Sequence, residues 1–122
     1  MAGLVAMNAA SLAQSVTPMR GEARSFAEDF AIRIVVGNPY QNKQMFAVRV
    51  YDDKFYPVEA QVTYSEVTIP ASGSKSVVVV VPFEGMTTRR VRVCAEGMFG
   101  KENEQRLRTQ VCGKYQGPRV GS

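Results

Sequence analysis

A chain of 122 residues is long enough for one domain and too short for two ordinary ones. With 45% apolar residues it can bury a core without a structural metal, and with no histidine it has no imidazole base, triad or imidazole metal ligand. The net charge of +4 is unevenly placed: residues 1–85 hold seven Lys/Arg against eight Asp/Glu, whereas residues 86–122 hold eight against three. The basic character therefore belongs to the C-terminal third.

Residues 1–13 are uncharged, small and apolar, and Ser11 and Ala13 are small residues at the two positions a signal peptidase reads. They read as the end of a secretory leader. Its basic n-region is missing, so an Ala-rich tail or a short helical turn is the competing reading. Neither this stretch nor any later run is long enough to span a bilayer. Residues 14–25 are polar, contain Pro18 and Gly21, and read as an extended lead-in, with residues 15–19 the stretch open to strand pairing outside the seven strands that follow.

Alternation then begins, and a period of two marks a half-buried strand. Phe30, Ile32, Ile34 and Val36 share one parity, and Gly37-Asn38-Pro39 stops the run. Phe46, Val48 and Val50 point inward in the next strand, with Arg49 and Tyr51 outward. Asp52-Asp53-Lys54 is a turn, after which Val58, Ala60 and Val62 alternate with polar residues. Val67 and Ile69 form a short strand ended by Pro70. Val77 to Val81 are five consecutive valines, which predicts a strand covered on both faces. Lys75, Pro82 and Glu84 guard this run against aggregation. Residues 87–95 and 105–115 supply the sixth and seventh strands.

Seven short strands with turn signals between them, and no helix-period segment, predict an all-β domain. The architecture expected is a seven-stranded antiparallel immunoglobulin-like sandwich over residues 26–116, with a disordered tail at 117–122; a small barrel is the runner-up.

Two cysteines, Cys94 and Cys112, in an exported domain predict a disulfide. They are too few for tetrahedral zinc and not in Cys-x-x-Cys spacing. Placing them opposite each other in an antiparallel pair fixes the register of the last hairpin. Ala95 then faces Val111, Val93 faces Gly113, Val91 faces Tyr115 and Phe99 faces Leu107, an apolar set on one face. Arg92 faces Lys114, Glu96 faces Gln110, and Arg108 lies diagonal to Glu96, a polar set sharing the other face with the cysteines. A one-residue slip would mix the two sets.

Arg90, Arg92, Arg106, Arg108 and Lys114 have outward parity and are the candidate binding residues. They suit an acidic protein surface, a polyanionic glycan or nucleic acid. A solvated strand face protected by arginine is the reading to be preferred for them, because charged outer faces are the default for antiparallel sheets. No aromatic platform is expected among them, which weighs against nucleic acid. Tyr40, Tyr51, Phe55, Tyr56 and Tyr64 cluster in mid-chain, as a binding surface or as core and corner tyrosines.

No catalytic set is legible. Asp52-Asp53 reads as a turn, since adjacent strand side chains point apart and calcium needs more oxygen ligands. The serines at 65, 72, 74 and 76 lack a visible base, and the scattered methionines suit gap-filling better than copper. No cofactor and no metal are expected.

Val35-Val36-Gly37-Asn38-Pro39, Phe46-Ala47-Val48-Arg49-Val50 and Ile69-Pro70-Ala71-Ser72-Gly73-Ser74-Lys75-Ser76-Val77 resemble segments of bacterial immunoglobulin-like domains. The layout is loosely similar to the N-terminal domain of periplasmic pilus chaperones. The resemblance covers under half the chain and implies a sandwich and export. That family carries a second domain, for which 122 residues leave no room, and a basic pair in its interdomain cleft, to which no residue is assigned here. The hairpin disulfide is additional to that family's pattern. The expected function is a non-enzymatic protein-interaction or structural module of the bacterial periplasm or cell surface, whose partner is another envelope protein. The alternative is a polyanion binder acting through the basic hairpin.

Overall fold

The computed structural model of the chain describes residues 14–99 and 107–121. The leader-like stretch 1–13 and Arg106 lie outside the described residues. The strands are β1 (Ser15–Thr17), β2 (Arg20–Glu22), β3 (Asp29–Gly37), β4 (Gln44–Tyr51), β5 (Gln61–Val62), β6 (Glu66–Ile69), β7 (Ser74–Pro82), β8 (Thr88–Phe99) and β9 (Leu107–Pro118). They form two sheets, ordered β1-β3-β7-β5 and β2-β9-β8-β4-β6. The described residues contain no helix, hence none long and apolar enough to cross a membrane.

The alternating segments become strands because each has one apolar face to bury. Phe30, Ile32, Ile34 and Val36 of β3 and Val77, Val79 and Val81 of β7 form the inner face of the first sheet. Phe46, Val48 and Val50 of β4, Val67 and Ile69 of β6, and Val91, Val93, Ala95 and Tyr115 of the last hairpin form that of the second. Each large side chain buried this way contributes roughly 1.5–3 kcal/mol. Asn38, in the Gly-Asn-Pro turn, is buried rather than solvated. Its Nδ2 donates to the carbonyls of Asn42, Ile69 and Pro70 at 3.0, 3.0 and 3.1 Å, and its Oδ1 accepts from the Tyr40 N–H at 3.0 Å. The turn is thereby pinned to the end of β6.

The fold is the all-β sandwich expected, with nine strands among the described residues rather than seven. The lead-in splits at Pro18, after a cis Thr17-Pro18 bond: β1 pairs antiparallel with β3 in one sheet, and β2 pairs parallel with β9 in the other. The expected strand at 58–62 also divides. Pro57 and Val58 pair with β4, while Gln61 and Val62 pair with β7 in the opposite sheet. Both segments cross from sheet to sheet, so neither stays in one sheet long enough to be a single strand.

Two further expectations need correction. Only alternate valines of the 77–81 run are fully buried; Val78 and Val80 lie half-buried on the outer face, because one sheet has only one other sheet to pack against. Backbone pairing also passes the boundary drawn at 116: β9 runs to Pro118, and the Arg119 and Val120 N–H groups donate to Thr87 O and Ser25 O.

Candidate functional site

The last hairpin has the register that the cysteines and the burial pattern require. Cys94 faces Cys112 and is disulfide-bonded to it, Val91 faces Tyr115, Arg92 faces Lys114 and Glu96 faces Gln110. Outward residues of neighbouring strands then fall into rows across the second sheet. One row runs Arg20, Lys114, Arg92, Tyr51 over β2, β9, β8 and β4. Neighbouring strands lie about 4.8 Å apart, so the backbones carrying three cations fall within about 10 Å. Like charges in facing positions destabilise a sheet. Among the described residues none forms an ion pair with Arg20, Arg90, Arg92 or Lys114.

Arg90 lies in the next row, opposite Gln116, which in turn faces Glu22. Glu22 is engaged with Arg24 at 3.4 Å. Arg20, Glu22, Arg90, Arg92, Lys114 and Gln116 line an open groove of about 660 Å³, with Asp53 on its rim and Tyr115 and Val91 in its floor. Tyr115 is buried and its hydroxyl donates to Pro18 O, which ties β9 to the crossing between β1 and β2. Burial pushes its phenol up to about 12.

Arg92 is held differently from the other cations. Its guanidinium carbon lies 4.6 Å from the centre of the Phe55 ring, and its Nη2 donates to Asp53 O at 3.4 Å. Its Nε is shut from solvent with no hydrogen-bond partner among the described residues. Phe55 and Tyr51 stack at 5.8 Å between centroids. The arginine face does carry aromatics, contrary to expectation. They come from the neighbouring strand and its turn, which the hairpin's own sequence does not reveal.

Above the disulfide the face changes character. The Glu96 carboxylate accepts from the Tyr51 hydroxyl and from Gln110 Nε2, both at 2.7 Å. Of the five candidate cations, Arg90, Arg92 and Lys114 meet in the groove. Arg108 sits on β9 opposite Met98, six positions and about 20 Å along the strand from Lys114. Arg20 and Asp53 join the groove unforeseen. Asp52 behaves as the turn residue expected, its Oδ1 accepting from Lys54 and Tyr56 N–H at 2.8 and 3.0 Å. Arg89, on the inward parity, is buried and donates to Pro82 O at 2.5 Å rather than serving the groove. No group of three potential metal ligands occurs among the described residues.

β9 also has an open edge. It pairs with β8 along its whole length but with β2 only at Lys114–Gln116. The Lys114 N–H points to the β2 side, donating to Met19 O at 2.8 Å. By alternation the backbone groups of Arg108, Gln110 and Cys112 face the same side, where no described strand pairs with them. The open edge therefore runs directly into the cationic row.

No family model and no curated protein matches the chain. Solved structures do. The E. coli chaperone DraB superposes with a TM-score of 0.70 at 13% identity, covering 89% of this chain and 56% of that one. A chain of the Salmonella enterica SafA pilin–SafB chaperone complex gives 0.68 at 15% identity, covering 89% and 55%. WR4, a C. elegans MSP family member, gives 0.57 at 9% identity, covering 88% and 97%. The chain spans about half the length of the chaperones it matches. Its fold is that of the immunoglobulin-like domain of periplasmic pilus chaperones, as the resemblance of residues 35–82 implied.

Proposed function

We propose that this chain is a non-enzymatic protein-binding module of the bacterial envelope. It takes an extended polypeptide along the open edge of β9 and seats a carboxylate of that polypeptide in the groove at the edge's end. The observation that carries this reading is the row Arg20–Lys114–Arg92, which makes no ion pair among the described residues, abutting the stretch of β9 with which no described strand pairs. An added strand gains affinity from main-chain hydrogen bonds, and a charge-assisted contact at one end fixes its register. Arg20 and Lys114, facing each other across β2 and β9, put two cations at that end of the edge, which supports this reading.

The setting in the periplasm or at the cell surface is supported by the disulfide, the leader-like residues 1–13 and the chaperone neighbours, one of them in complex with a pilin. A polyanion has less in its favour. Phosphate or sulfate tracts need cations that continue along a face, whereas here Glu96 and Gln110 stand next above the disulfide, with the Tyr51 hydroxyl reaching up to Glu96 from the cationic row.

The test is fluorescence anisotropy on the full chain with a labelled ten-residue peptide of alternating valine and threonine. One version ends in a free carboxylate and the other in an amide. The expected result is about tenfold tighter binding of the free acid, equivalent to about 1.4 kcal/mol, and loss of that preference in Lys114→Gln. Equal binding of acid and amide, with retention on heparin alone, would replace this reading by the polyanion one.

A further inference from the structure

Two locally unfavourable features meet at the rim of the groove. Phe55 has φ 65°, in the left-handed region that a bulky side chain rarely adopts. Arg92, beneath it, has its Nε buried without a partner among the described residues. Unfavourable backbone and an unsatisfied donor at one place are what a site under functional constraint retains.

The loop that produces this is well tied. Tyr51 and Pro57 form a bridge, and the Asp52 N–H donates to Tyr56 O at 2.9 Å. The Phe55 N–H donates to Asp52 O at 3.0 Å, and the Asp52 carboxylate holds Lys54 and Tyr56 from inside. Such a turn favours glycine or asparagine at its left-handed position. Phenylalanine there is not explained by burial, since Phe55 remains 45% exposed. Its ring instead covers the Arg92 guanidinium at 4.6 Å. Of the three cations in the row, Arg92 is the one with a ring across its guanidinium, while Arg20 and Lys114 are exposed. A cation fixed before the ligand arrives spends less side-chain freedom on binding.

We infer that Phe55 is a positioning residue for the groove: it holds the Arg92 guanidinium ready for the incoming carboxylate, at the expense of the turn's own stability. This rests on the carboxylate reading above. It requires stability and binding to move in opposite directions on substitution. Phe55→Gly relieves the left-handed backbone, so its Tm is unchanged or raised by a few degrees. The same variant loses about fivefold in affinity for the free-acid peptide while its affinity for the amide stays the same. Phe55→Tyr restores the preference.

A readout that needs no ligand accompanies these. In the full chain the expected result is an Arg92 Hε resonance shifted by the ring current of Phe55 and slow to exchange with water. Both properties disappear in Phe55→Gly. If Phe55→Gly keeps the full preference for the free acid, the inference is overturned. It is equally overturned if the Arg92 Hε signal is indifferent to the substitution. If the wild-type chain shows no preference for the acid but the Arg92 signal responds to Phe55→Gly, the carboxylate reading fails and the positioning of Arg92 stands.

Discussion

Gly117→Ala places a single methyl group where the structure has no space for it. Gly117 is buried on β9 opposite Arg89, and a Cβ built there lies 2.5 Å from Cγ and Cδ1 of Phe30 and 2.7 Å from Cδ2. Carbon atoms prefer about 3.5–4.0 Å, so the ring must retreat by roughly 1 Å. It has nowhere to go: Phe30 is 2% exposed and packs on Phe83 with centroids 5.0 Å apart. Overpacking of this kind costs about 1–3 kcal/mol. Alanine regains about 0.5–1 kcal/mol over glycine through the unfolded chain. The expected net loss is therefore about 1–2 kcal/mol. Urea denaturation would register it as a lower midpoint with an unchanged slope. Phe30→Leu makes room for the methyl, so the double variant should be at least about 1 kcal/mol more stable than the two single losses predict. A Gly117→Ala midpoint equal to wild type, or strictly additive variants, would refute the close packing of Phe30 on β9.

The disulfide and the buried tyrosine give two more expectations. The Cys94–Cys112 bridge closes an 18-residue loop, so reducing it should lower stability by about 3 kcal/mol. Labelling the oxidised, denatured protein should find no free thiol, and two reactive thiols would contradict the bridge. The Tyr115 phenol is raised from 10.0 to about 12 in the folded state, by burial. Its contribution is complete below pH 10. It fades as the unfolded chain ionises while the folded chain stays neutral, and it is gone above about pH 12. Allowing for solvent screening, the loss is on the order of 1–2 kcal/mol. It should be visible as a pH-dependent midpoint between those values, and Tyr115→Phe should flatten that slope.

Much of the fold was legible because its determinants are local. Alternation in residues 30–36, 46–50 and 67–69 depends only on near neighbours in the chain, and each segment became the strand its parity indicated. The last hairpin was legible for a second reason. Two independent constraints, the facing cysteines and the separation of apolar from polar residues, are satisfied by one register. The exposed parity of Arg90, Arg92 and Lys114 followed from that register without any knowledge of the rest of the molecule.

What remained hidden depended on pairings between distant segments. Whether a short polar stretch such as residues 15–22 joins one sheet or crosses between two is decided by where the sheet edges lie, and its own composition carries no such information. The same holds for residues 57–62. Arg20 enters the groove only because β2 lies parallel to β9, more than ninety positions away in the chain. Phe55 reaches Arg92 only because β4 lies beside β8. Burial patterns are written residue by residue, so the sequence determined the strands, their inward faces and the hairpin's register. A row of like charges and the ring that holds one of them are arranged across strands, so the groove was decided when the sheet was assembled.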